Sequence, residues 1–124
     1  MILIDTDVFI DHLRNYAPSI KFFESLIGRN DILFSAITEA ELLAGKINDN
    51  PEKREKLLHL LHYWNKIPAD NPIAELAGDI CRKYNLTIPD AIIAASAILN
   101  NAELITKNAR DFQKISGLKS QTPY

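Results

Sequence analysis

Three acids in this 124-residue sequence stand beside apolar runs that would press them against a core: Asp5 follows MILI, Glu41 precedes LLAG and Asp90 precedes AIIAA. Each has an ordinary structural use. Asp5 can cap a following helix by accepting from its free N–H groups. Glu41, three residues after Thr38, completes a T-x-x-E capping box. Asp90 repeats that spacing from Thr87 in TIPD, with Pro89 suited to a first helical turn. If these three starts meet at one sheet edge, their charges repel unless protonation or a cation relieves them. Mg²⁺ is the natural relief, because it takes oxygen ligands, keeps several waters and is held by one or two carboxylates plus substrate phosphates.

A fourth stretch, LITKNARDF, offers Thr106, Asn108 and Asp111. It can be a polar loop in which Asn108 caps a short helical turn. Alternatively, Asn108 or Asp111 completes the acid group and orients water, while Thr106 bonds a neighbouring carboxylate.

The elements that would position these groups follow from apolar spacing. Residues 2–4 form a compact apolar run, read as a buried strand, and Val8, Phe9 and Leu13 place residues 6–14 in a helix. Further helices are expected over 18–27, 37–46, 51–63, 72–84 and 87–100, with stops or starts at Gly28, Gly45, Pro51 and Pro72. Residues 31–35, 65–68 and 103–106 read as strands, residues 109–112 as a helical turn, and a last strand is expected near Leu118. Strands alternating with helices, without a tight hairpin signal, predict an α/β sandwich of parallel strands. In such folds the functional crevice lies at the carboxyl ends of the strands.

Length and composition bound the rest. A chain of 124 residues is read as one domain with a sizeable core, covering 1–124. Its net charge of −2 gives no basic footprint for tight binding to phosphates in general. The single cysteine, Cys81, cannot form an internal disulfide, and its apolar surroundings suggest a small buried residue. No run is long enough for a signal-peptide core or a membrane span, so a cytoplasmic protein with no membrane partner is expected. His12, His59 and His62 lack the spacing of metal ligands and read as surface or helix-face residues.

Four segments, MILIDTDVFIDHLR, ITEAELLAG, IPDAIIAASA and ITKNARDF, together resemble the PIN-domain ribonucleases, and among them the VapC-type toxins of toxin–antitoxin systems. The resemblance implies a PIN-like three-layer sandwich with a mostly parallel central sheet of four to five strands. It also implies a dimer and an acidic pocket that binds Mg²⁺ or Mn²⁺ and hydrolyses RNA, with transfer or ribosomal RNA as the substrate. By position, Asp5 and Asp90 would be the principal metal ligands and Glu41 a third acid, acting directly or through metal-bound water. The family's last position falls on Asn108, with Asp111 close by. Asp7 stands where the family often has serine or asparagine, and is expected to face outward. Thr6, Thr106 and Asp11 are assigned supporting roles, Asp11 lying a turn and a half beyond Asp5.

Arg14, Lys46, Lys107 and Arg110 are candidate phosphate contacts. The apolar stretch LLHLLHYW, residues 57–64, reads either as ordinary core or as the lining of a dimer or antitoxin groove. The cognate antitoxin implied by the resemblance would pack there. Two other readings compete. A strand followed by DTD imitates a haloacid-dehalogenase-like phosphatase, although that family wants threonine or valine at the position of Phe9. A degenerate PIN-like module would bind RNA or protein without cutting, yet would have no use for mutually repelling acids.

Overall fold

The computed structural model describes residues Met1–Tyr124. Five strands, β1 (Ile2–Ile4), β2 (Ile32–Ser35), β3 (Asn65–Ile67), β4 (Glu103–Ile105) and β5 (Ser120–Gln121), form one sheet in the order β3-β2-β1-β4-β5. Every adjacent pair is parallel, as the helical crossovers require. The helices are α1 (Thr6–Leu13), α2 (Ala17–Ser25), α3 (Ala36–Leu43), α4 (Pro51–Leu61), α5 (Asn71–Tyr84), α6 (Ile88–Leu99) and α7 (Ala109–Phe112).

Side chains alternate across a strand, so the short central strand feeds two cores. Leu3 packs with Leu33, Leu104 and the apolar faces of α5 and α6 on one side. Ile2 and Ile4 pack with Phe34, with Val8 and Phe9 of α1, Phe23 of α2, and Leu57 and Leu61 of α4 on the other. Three layers result. Both cores share β1, which fixes where its carboxyl end delivers Asp5. The chain turns outward from β1 to β2 on one side and to β4 on the other, and the crevice of a doubly wound sheet opens at such a switch point.

Helix boundaries follow local chemistry. Helix α4 has Pro51 at its first position behind Asn50, whose side chain accepts from Glu52 and Lys53 N–H groups. Helix α5 starts behind Asp70 and stops at Asn85, whose φ of 56° ends the helix in the left-handed region.

Two expectations are corrected, and the expected last strand is found. The T-x-x-E box does not form: α3 begins two residues before Thr38, capped by Ser35, whose hydroxyl accepts from Ile37 N–H at 3.1 Å. Thr38 is instead wholly buried in the first turns of the helix. Residues 46–49 leave α3 and form a separate 3₁₀ turn, because Gly45 takes extended backbone there. The last strand lies at Ser120–Gln121, just past Leu118, which packs against the α5–α6 core.

Candidate active site

Asp5 leaves β1 in extended conformation and caps α1, accepting the Thr6 N–H at 2.7 Å through Oδ1. Its other oxygen, Oδ2, accepts the Thr106 hydroxyl at 2.7 Å from the end of β4. The two strands that flank the switch point thus meet at one carboxylate. With only 6% of its surface exposed, Asp5 is costly to ionise. Burial, then the neighbouring charge of Asp7, and more weakly that of Asp90, push its pKa up to about 7 against the pull of Thr106 and Thr6.

Thr6 connects the second acid. Its hydroxyl donates to Glu41 Oε1 at 2.8 Å and lies 2.9 Å from the Thr38 hydroxyl. A hydroxyl carries one hydrogen, so Thr38 is the donor to Thr6 and the polar chain runs Thr38 to Thr6 to Glu41. Glu41 itself remains exposed on α3. Asp90, half-buried, stands in the first turn of α6, where Thr87 accepts its N–H at 3.4 Å. The positive end of the α6 dipole offsets part of its charge.

Asn108 and Asp111 are exposed and bonded to each other, the Asn108 amide donating to Asp111 Oδ2 at 2.7 Å. Asn108 stands at the start of α7 without a side-chain capping bond. Its link to Asp5 is indirect: the Asn108 N–H donates at 3.0 Å to the same Thr106 hydroxyl that donates to Asp5. Asp11 takes other partners. It is buried, accepts the Tyr124 hydroxyl at 2.7 Å and pairs with Lys107 Nζ at 2.8 Å. Arg14, Lys46 and Arg110 are exposed and form no ion pair, whereas Lys107 is committed to Asp11.

Asp7 does not face outward. It is half-buried, its Oδ1 is enclosed without a hydrogen-bond partner, and its charge acts on Asp5. Burial raises its pKa, while the Lys107 main chain and ammonium pull the other way. Helix geometry held the signal: Asp7 lies in the first turn of a helix capped by Asp5, so the two share one helix end. His12 likewise is no simple surface residue, since its ring stacks 4.6 Å from Phe23 and burial lowers its pKa.

Whether these groups suit a cation is answered by their chemistry. All the acids offer hard oxygens, Asp5 is destabilised when charged, and Asp7 has a buried oxygen that nothing satisfies. A hard divalent ion relieves each of these costs. No three His, Cys, Asp or Glu side chains converge into a complete cage. An ion that keeps several waters needs none, and Asp5 and Asp90, with Asp7 adjoining Asp5, are the carboxylates that could hold Mg²⁺ in that manner.

The PIN-domain family pattern matches residues 2–118. The chain is 32% identical over 124 residues to ribonuclease VapC10 of Mycobacterium tuberculosis, covering 96% of this chain and 91% of that protein. Ribonuclease VapC19 of the same species is 32% identical over 130 residues, with both chains fully covered. Among solved structures, a toxin–antitoxin complex from Klebsiella pneumoniae superposes with a TM-score of 0.82 at 33% identity, covering 100% of this chain and 98% of that one.

Proposed function

Because the chain belongs to the PIN-domain family and is related to the VapC ribonuclease toxins, we propose that it is a metal-dependent endoribonuclease toxin restrained by a cognate antitoxin. The observation that carries this reading is the buried Asp5, held by Thr6 and Thr106 and raised to a pKa of about 7 by burial and by its acidic neighbours. Family membership leaves no support for the dehalogenase-like phosphatase alternative.

When bound, Mg²⁺ or Mn²⁺ would lower the pKa of a water and offset charge on the phosphodiester. Asp5 and Asp90 would hold it, with Glu41 as a third acid. The chain's own residues do the positioning. Thr106 and the Thr6 N–H fix both oxygens of Asp5, and the Thr38–Thr6 hydroxyl pair aims Glu41. Asn108 and Asp111 stand as one hydrogen-bonded unit beside Thr106, from which they orient water. Of the four candidate cations, Arg14, Lys46 and Arg110 form no ion pair and are available to RNA phosphates.

The antitoxin has a surface to fit. Leu57 and Leu61 belong to the core, but Leu60, Tyr63 and Trp64 from the same stretch line a cavity of about 550 Å³ with Phe23 and Ile27 of the α2 region. Ile27 and Tyr63 are 82% and 72% exposed, a patch suited to an apolar helix or strap. A homodimer, as the resemblance implies, belongs to the same reading. No helix is long and apolar enough to cross a membrane.

To test the activity, purified protein freed of partner is incubated with Mg²⁺ and either structured RNAs or a small phosphomonoester. Internal RNA cleavage without phosphomonoester hydrolysis is expected. Phosphomonoester turnover alone would refute the assignment.

A further inference from the structure

Beside the acidic group lies a second concave feature of about 310 Å³, formed by Asp11, Tyr16, Lys107, Thr122 and Tyr124. We infer that it is a nucleobase subsite, which stacks one unpaired base of the RNA next to the cleaved phosphodiester. The inference rests on the ribonuclease reading above.

Two tyrosine rings form its wall. Tyr16 and Tyr124 are 49% and 41% exposed, and their centroids lie 5.6 Å apart at 62°. The Tyr16 N–H donates to the Asp11 carbonyl at 3.0 Å, and the Tyr124 hydroxyl donates to the Asp11 carboxylate at 2.7 Å. Phe22 backs Tyr124 at 6.5 Å. A platform ordered in advance loses little entropy when a base lands on it.

The charge balance decides between base and phosphate. Asp11 and Lys107 neutralise each other across 2.8 Å, so the cavity has no spare positive charge to hold a phosphate. What remains is aromatic face together with the Thr122 hydroxyl and the Lys107 ammonium hydrogens that Asp11 does not take, groups that stack a base and bond its edge. Lys107 directly follows Thr106, so one loop serves both the acid and the cavity.

The test uses the full-length chain and a short single-stranded RNA carrying a fluorescent label, with cleavage kinetics in Mg²⁺ and anisotropy in EDTA. Tyr16→Ala should raise KM and weaken EDTA binding by about tenfold or more, with kcat little changed, and Tyr16→Phe should restore both. An RNA with one abasic position flanking the cut should be bound as weakly by wild type as the intact RNA is by Tyr16→Ala. Wild-type cleavage with KM and binding unmoved by Tyr16→Ala would overturn the subsite while leaving the nuclease reading intact. Tyr16-dependent RNA binding without any cleavage would keep the subsite and overturn the nuclease reading. Loss of partner-protein affinity in Tyr16→Ala with RNA binding unchanged would reassign the cavity to protein contact and overturn the proposal.

Discussion

Asp5 does two jobs that pull against each other. Capping α1 favours its charge, while burial beside Asp7 and Asp90 opposes it, and burial wins. Its pKa rises from 3.8 to about 7, so between those values the native chain holds a proton that the unfolded chain has released. Stability therefore falls as pH rises through that window, and the penalty is absent below it. Asp5→Asn, which can still cap, should stabilise the cation-free protein near pH 8 by up to about 4 kcal/mol, with little effect near pH 3.5. Urea titrations at both pH values check this, and an equal effect at both would contradict it. Thr106→Val removes one of the two bonds that fix Asp5 and should lower cleavage by about 10- to 100-fold, measured as single-turnover rate. The cap at Asp5 was legible because an apolar run ends there. A bond from Thr106 to a neighbouring carboxylate was also expected, but local spacing did not say that the carboxylate is Asp5, since 101 residues separate the two. Asp7 was misjudged because its surroundings come partly from Lys107 on that same distant loop.

At the scale of elements, strand–helix junctions supply the site. Strands β1, β2 and β4 end at Asp5, Ser35 and Thr106, each a short polar residue that hydrogen-bonds the backbone or side chain of the next segment. Periodicity and turn signals located all seven helices and five strands to within a few residues, most of them because they bury an apolar stripe, although the edge strands β3 and β5 bury none of their residues. It failed at α3, where Ser35 competed successfully with Thr38 for the cap. The T-x-x-E pattern was real as spacing, but a wholly buried Thr38 is worth more as donor to Thr6 than as a cap. Ser35→Ala should accordingly cost about 1 kcal/mol of folding stability, whereas Thr38→Ala should leave the α3 boundary unchanged and displace Glu41. Urea denaturation measures the first effect. Amide protection at Ile37 and Glu41 reports the second, and loss of protection at Glu41 in Thr38→Ala, with Ile37 unaffected by Ser35→Ala, would restore the capping box.

Across the whole molecule, the acids and the apolar groove occupy different regions. The groove is built on α2 and α4, while the acids lie at the end of β1, in the second turn of α3 and in the first turn of α6, with Thr106 at the end of β4. Binding of a partner and cleavage should therefore separate by mutation. Ile27→Asp with Tyr63→Ala, both on exposed side chains, should weaken the antitoxin by tenfold or more while leaving RNA cleavage by the free toxin unchanged. Calorimetry with the purified antitoxin checks the first half, and cleavage kinetics the second. Sheet order follows from parallel crossovers only once the neighbours of β1 are known. Sequence spacing alone does not specify them.

The most direct measurement of the central claim is the rate of RNA cleavage as Mg²⁺ or Mn²⁺ is titrated into wild type and Asp90→Asn at one neutral pH. The account predicts saturating cation dependence in wild type, no cleavage in EDTA, and a loss of at least about 100-fold in Asp90→Asn, removal of one ligand costing several kcal/mol of charge stabilisation. Cleavage that persists in EDTA, or that Asp90→Asn leaves unchanged at every cation concentration, would contradict it.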